Sequence, residues 1–207
     1  MIHKKAFILR IVAIAAIIGG IVATPAIVDA QSPYGAGTYG TCDYNACGIT
    51  FGAQASVSVN VSPSSGATSC SVTNAEVQVA TKSSTGYTLS MTNTDTNTSL
   101  MSGGNSIPTK SGTSASPTAM TANTWGYRVD GINGFGAGPT SVVTNGTVPV
   151  LTFAAIPASS ATPDIIATTT TPADPYISTY VWYGLCANAS QPNGEYSDSV
   201  TYTVVVN

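Results

Sequence analysis

The chain has 207 residues, of which 43% are hydrophobic and only 7% charged, with a formal net charge of −3. Six Lys and Arg in all are too few to build the clustered basic face that nucleic acid or an anionic membrane surface requires. Beyond residue 30, Ser and Thr supply roughly three residues in ten, far above average usage, so the polarity of this chain is hydroxyl and amide rather than charge.

Residues 1–30 read as a signal peptide. Lys4, Lys5 and Arg10 form a positive lead, Ile11 to Ala23 an apolar run, and Val28-Asp29-Ala30 a small-residue cleavage pattern before Gln31. A helix is expected here. Left uncut, Ile11 to Val28 is barely long enough to span a bilayer as an anchor. The only histidine, His3, falls in this segment. The exported body therefore has no imidazole for a Ser-His-Asp or Cys-His nucleophile, nor for a His-based metal site. Its strong bases are Lys82, Lys110 and Arg128. The expectation is a non-enzyme with no cofactor and no metal.

Residues 31–48 form an irregular Gly/Tyr-rich arm with no period of 2 or 3.6. Alternation then takes over. Val57, Val59 and Val61 point one way with Ser56, Ser58 and Asn60 the other, and Pro63 to Gly66 turns the chain. Ala75 to Ala80 and Tyr87 to Thr92 alternate likewise, before a loop-rich stretch from Asn93 to Pro117. Trp125 to Val129 predicts a short strand closed by Asp130-Gly131 and Asn133-Gly134. Thr147 to Phe153 and Tyr180 to Cys186 predict two more. Between them, Thr162 to Pro175 reads as an edge strand or an extended crossover. Asn193-Gly194 turns into Val200, Tyr202, Val204 and Val206. No window after residue 30 has capped helical periodicity, so residues 49–207 predict an all-β, antiparallel sandwich of about eight or nine strands.

Cys42, Cys47, Cys70 and Cys186 make an even set in an exported chain, which predicts disulfides. The pairing expected is Cys42–Cys47, across a four-residue spacer, and Cys70–Cys186, tying an early strand to a late one. A four-thiolate zinc site is the rival, disfavoured because no CxxC knuckle is present.

Other constellations have bland readings beside the sharp ones. Asp130, Asp164, Asp174, Glu195 and Asp198 are the carboxylates a glycosidase-like pair would draw on, and all but Asp198 sit beside Gly or Pro, where acids serve turns. Asn93-Thr94-Asp95-Thr96-Asn97-Thr98-Ser99 alternates oxygen ligands as calcium loops do, yet lacks their glycine and distal glutamate. A loop bonding its own backbone is the simpler account. Lys82 with Glu76 are the residues an isopeptide cross-link would use, against a solvated lysine. Tyr180 and Trp182 fall on one strand face, with Tyr183 on the other. Exposed, that pair would stack on sugar rings; buried, it is core.

The closing stretch Gly194-Glu195-Tyr196-Ser197-Asp198-Ser199-Val200 is similar to the last strand of the spore-coat-protein-U and fimbrial (pilin) families, Gly-x-Tyr-Ser-Asp-x-Val with alternating valines behind it. Asn123 to Tyr127 likewise resembles Ser/Thr-rich bacterial surface proteins. The resemblance implies an Ig-like, pilin-like sandwich with a structural or adhesive role, and brings no catalytic residues. Cysteine placement and the Gly/Tyr arm depart from the pilin pattern. The expected function is that of a secreted, non-catalytic subunit of a coat, fibre or pilus at the cell surface, with other surface subunits (its own copies among them) or surface glycans as partners. The alternative is a secreted carbohydrate-binding sandwich module.

Overall fold

The structure, a computed structural model, describes residues 7–17, 21–22, 28–30, 48–54, 56–63, 67–148 and 151–207, the first three segments as backbone. It is all-β, with no helix among the described residues. In chain order the strands are β1 (Phe7–Ile17), β2 (Ile21–Val22), β3 (Val28–Ala30), β4 (Ile49–Ala53), β5 (Ser56–Val61), β6 (Ser69–Thr81), β7 (Tyr87–Asn93), β8 (Leu100–Ser102), β9 (Asn105–Ile107), β10 (Thr118–Ala119), β11 (Thr124–Arg128), β12 (Val143–Gly146), β13 (Thr152–Phe153), β14 (Asp164–Thr168), β15 (Ala173–Ala187) and β16 (Gly194–Val206). Thirteen of these, β4 to β16, lie within residues 49–207, more than the expected eight or nine. The surplus comes from short pairs such as β8–β9, whose three-residue arms are too brief for periodicity to register.

Two sheets carry the fold. One has eight strands along the path β14-β7-β16-β1-β2, with β5 joined through β1 and the β8–β9 hairpin joined at β16. The other has six along β11-β15-β6-β4-β3, with β12 on β6. Their ladders are antiparallel except β1 on β16. The alternation read from the sequence places side chains as period 2 requires. Val57, Val59 and Val61 of β5, Leu89 and Met91 of β7, and Val200, Tyr202 and Val204 of β16 are all buried. They meet Val77, Val79, Val181 and Tyr183 from the second sheet in one cluster. Across that core the hydroxyls of Tyr183 and Tyr202 lie 2.6 Å apart, a hydrogen bond between the two sheets. Burial raises the pKa of both phenols, so neither ionises at any ordinary pH.

A smaller core lies on the outer face of the second sheet, around Cys70, Val72, Val148, Phe153 and Cys186. Glycine makes room for it. A Cβ on Gly184 would sit 2.7 Å from the Phe153 ring, and one on Gly126 2.6 Å from the Ala154 carbonyl oxygen. Cys70 and Cys186 are directly opposite on β6 and β15 and form a disulfide with Cα atoms 4.1 Å apart. The bridge spans a sequence separation of 116, and closing so long a loop contributes about 4–5 kcal/mol in the chain-entropy model. Cys42 and Cys47 lie outside the described residues.

Three expectations need correction. Phe7–Ile17 is an extended strand, not a helix. Its backbone groups are met by β16 along the whole strand and by β5 from Phe7 to Val12, so ladders rather than helical bonds satisfy the apolar run there. Residues 147–153 do not form one strand; β12 ends at Gly146 and β13 starts at Thr152, the first bulged against β6 and the second pairing with β10. Finally, β15 begins at Ala173 rather than Tyr180, running through Pro175 where no second strand flanks it.

Candidate functional site

The five carboxylates an acid–base pair would draw on are not brought together. Asp130 accepts from Arg128 Nη2 at 2.7 Å and Nε at 2.9 Å, and from the Thr140 backbone N–H at 2.7 Å. Burial opposes its ionisation, but the Thr140 donors and Arg128 outweigh it and hold the carboxyl below its usual range. Its task is structural. Arg128 is 2% exposed and would otherwise be a buried, unpaired cation. Asp164 accepts from Tyr127 Oη at 2.5 Å and Ser114 Oγ at 2.8 Å. Asp198 accepts from Asn93 Nδ2 at 2.6 Å and from the Ser199 N–H at 2.8 Å. Burial is the main reason its pKa is pushed up to about 6, and the negative charge of Asp95 adds to it. Asp174 is exposed and Glu195 lies near the start of β16.

The Asn93–Ser99 loop bonds itself. The N–H groups of Asp95, Asn97 and Ser99 donate to the side-chain oxygens of Asn93, Asp95 and Asn97 at 3.0, 2.7 and 3.1 Å. Those oxygens are thereby engaged with backbone donors two residues on. Among the described residues no group of three or more His, Cys, Asp or Glu could hold a metal ion.

Two features remain. The first is the position of β1. It pairs in parallel with β16 from Phe7↔Gly194 to Ile17↔Val204, and antiparallel with β5 from Phe7↔Val61 to Val12↔Ser56. Among the described residues, β5 forms a ladder with β1 alone. The sheet is thus continuous between β16 and β5 because an N-terminal strand fills the gap.

The second is the outer face of β15 and β6. At one end it is covered by Phe153 and Val148, and Trp182, half-buried, packs against that cover. Beyond Trp182 the cover stops. Tyr180 is 47% exposed and Tyr176 55%. The sequence pair Tyr180 and Trp182 does share a face, but the tryptophan lies partly beneath the lid and the accessible aromatic partner is Tyr176. Beside them, Glu76 stands opposite Tyr180 and Gln78 opposite Ser178. Gln78 Nε2 donates to Glu76 Oε1 at 3.0 Å and Ser178 Oγ donates to the same oxygen at 2.6 Å. These bonds hold the carboxyl below its ordinary pKa, so it is ionised at neutral pH. Glu76 thus belongs to a β15–β6 network, not to a pair with Lys82.

No protein-family model matches the chain, and no curated protein matches it. What the molecule does rests on its geometry.

Proposed function

We propose that the chain is an exported, non-catalytic subunit of a cell-surface coat, fibre or pilus-like assembly, built on an Ig-like, pilin-like sandwich and joined to its neighbours by strand addition. The observation that carries this reading is the place of β1, between β16 and β5. Read as a signal peptide, residues 1–30 leave the chain on export. Removal of β1 would leave β5 without its ladder and one side of β16 unpaired, above a core that holds Val57, Val59 and Val61. Such an edge is a template for a strand from another chain, because the donor satisfies the open N–H and C=O groups. The next segment, residues 31–48, is long enough to reach a neighbour and is the strand we assign as donor. The Cys70–Cys186 bridge suits an oxidising compartment outside the cytoplasm, and low charge tolerates dense lateral packing of copies.

The test is to compare chains beginning at Gln31 and at Ile49 by sedimentation. The first should form concentration-dependent oligomers and the second should not. Equal assembly of the two would sink the assignment of the arm as donor.

A further inference from the structure

We propose that the uncovered outer face of β15 and β6 is a glycan-binding surface, with Tyr176 and Tyr180 as stacking platforms and Glu76 as the acceptor for sugar hydroxyls. This goes beyond the assembly reading and uses a different part of the molecule. Tyr180 projects from the outer face of β15, opposite Glu76, and Tyr176, also exposed, lies four residues before it where the β15–β6 register is broken. Both rings stand in solvent at an apolar cost that a core or an unbroken lid would have removed. Between them the floor is polar and low. Ser178 and Gln78 face each other across the ladder, and Gly52 of β4 is opposite Gln78 on its other side. Among the described residues nothing lies within 4 Å of where a Gly52 Cβ would be.

The chemistry of this trough selects its occupant. Aromatic rings offer flat apolar faces to the C–H side of a pyranose, and an ionised carboxylate accepts hydrogen bonds from its hydroxyls. Glu76 is already oriented by Gln78 and Ser178, and at 3.5 Å by the Tyr180 hydroxyl, all donating to its Oε1. Its pre-set geometry lowers the ordering cost of binding. Charge narrows the choice further. None of these residues is basic, and the Glu76 carboxylate lies beside Tyr180, so sulfated and other anionic sugars are repelled. The ligand class is a neutral or N-acetylated hexopyranose chain.

The experiment presents the full chain, disulfide intact, to an array of neutral, N-acetylated and sulfated oligosaccharides. Capture of neutral or N-acetylated members is expected, with none of the sulfated set. Tyr180→Ala should weaken capture about tenfold or more. Glu76→Ala should do the same, and Glu76→Gln should retain part of it, since the amide still accepts one hydrogen bond. Both side chains are at the surface, and circular dichroism will verify that the variants fold. A blank array overturns the proposal, as does capture confined to sulfated glycans or capture unchanged in a Tyr176→Ala/Tyr180→Ala double variant. Self-association that vanishes in Tyr180→Ala beside a blank array assigns the face to a second copy instead, and overturns it too. The chain starting at Ile49 should keep its glycan binding even where it loses assembly, which separates failure of this proposal from failure of the arm-donation reading.

Discussion

At the scale of single residues, the polar groups of the core differ in how they are met, and among the described residues Tyr87 Oη is buried without a hydrogen-bond partner. The Tyr183–Tyr202 bond joins the two sheets through the main core, as Tyr127–Asp164 does between β11 and β14. Tyr202→Phe leaves a buried hydroxyl with Met91 Sδ, 3.6 Å away, as its remaining partner. A loss of about 1–2 kcal/mol in unfolding free energy is expected. The double variant Tyr183→Phe/Tyr202→Phe should cost clearly less than the sum of the singles, because it removes both polar groups at once. Urea denaturation of the four chains reads this directly. Asp198 acts oppositely to an ordinary paired carboxylate. Its native pKa of about 6 lies above the ordinary 3.8, so the folded state binds its proton more tightly than the unfolded chain does. Its contribution is therefore full below about 3.8 and is lost as pH rises towards 6. Asp198→Asn should flatten the fall in melting temperature over that window relative to the parent chain. If the two profiles run parallel from pH 4 to 6, the burial of Asp198 has been misjudged.

At the scale of elements, what could be read from the sequence was set by periodicity. β5, β7 and the second half of β16 alternate cleanly, and their buried sets are those that Val57 to Val61, Leu89 to Met91 and Val200 to Val204 predict. The self-bonding of Asn93–Ser99 follows from side-chain chemistry two residues apart and was equally legible. The β8–β9 hairpin was not, since its arms are three residues each around Gly103-Gly104. Nor was the extension of β1, because Phe7 to Ile17 is apolar at nearly every position and carries no period to separate strand from helix. The network on Glu76 depends on which residue of β15 lies opposite which of β6, and that register is invisible in one dimension. The Cys70–Cys186 pair stands between these cases, since the even count predicts disulfides and the short Cys42–Cys47 spacer favours this pairing, but its place on adjacent strands is not legible. Replacing both cysteines by serine should lower unfolding free energy by about 2–5 kcal/mol while far-ultraviolet circular dichroism stays that of a β protein. A variant as stable as the parent would mean the bridge contributes nothing beyond packing.

At the scale of the whole molecule, the sheets are unequal in how they are completed. β15 and β6 pair along most of their length and carry a disulfide between them. Within the first sheet, β7 and β16 are similarly self-sufficient. β5 is different: its inward valines belong to the core, yet its backbone reaches the sheet through a segment that export is proposed to remove. A domain in that condition is stable alone only at a penalty, because an unpaired edge sits above buried apolar side chains.

The most direct measurement is amide hydrogen exchange on the full chain and on monomeric protein beginning at Gln31. Dependence of β5 on a supplied strand predicts that Ser56–Val61 and alternate amides of Gly194–Val204 lose protection in the shorter chain, while Ser69–Thr81 and Val181–Ala187 keep theirs. Unchanged protection across β5 in the monomer would contradict it.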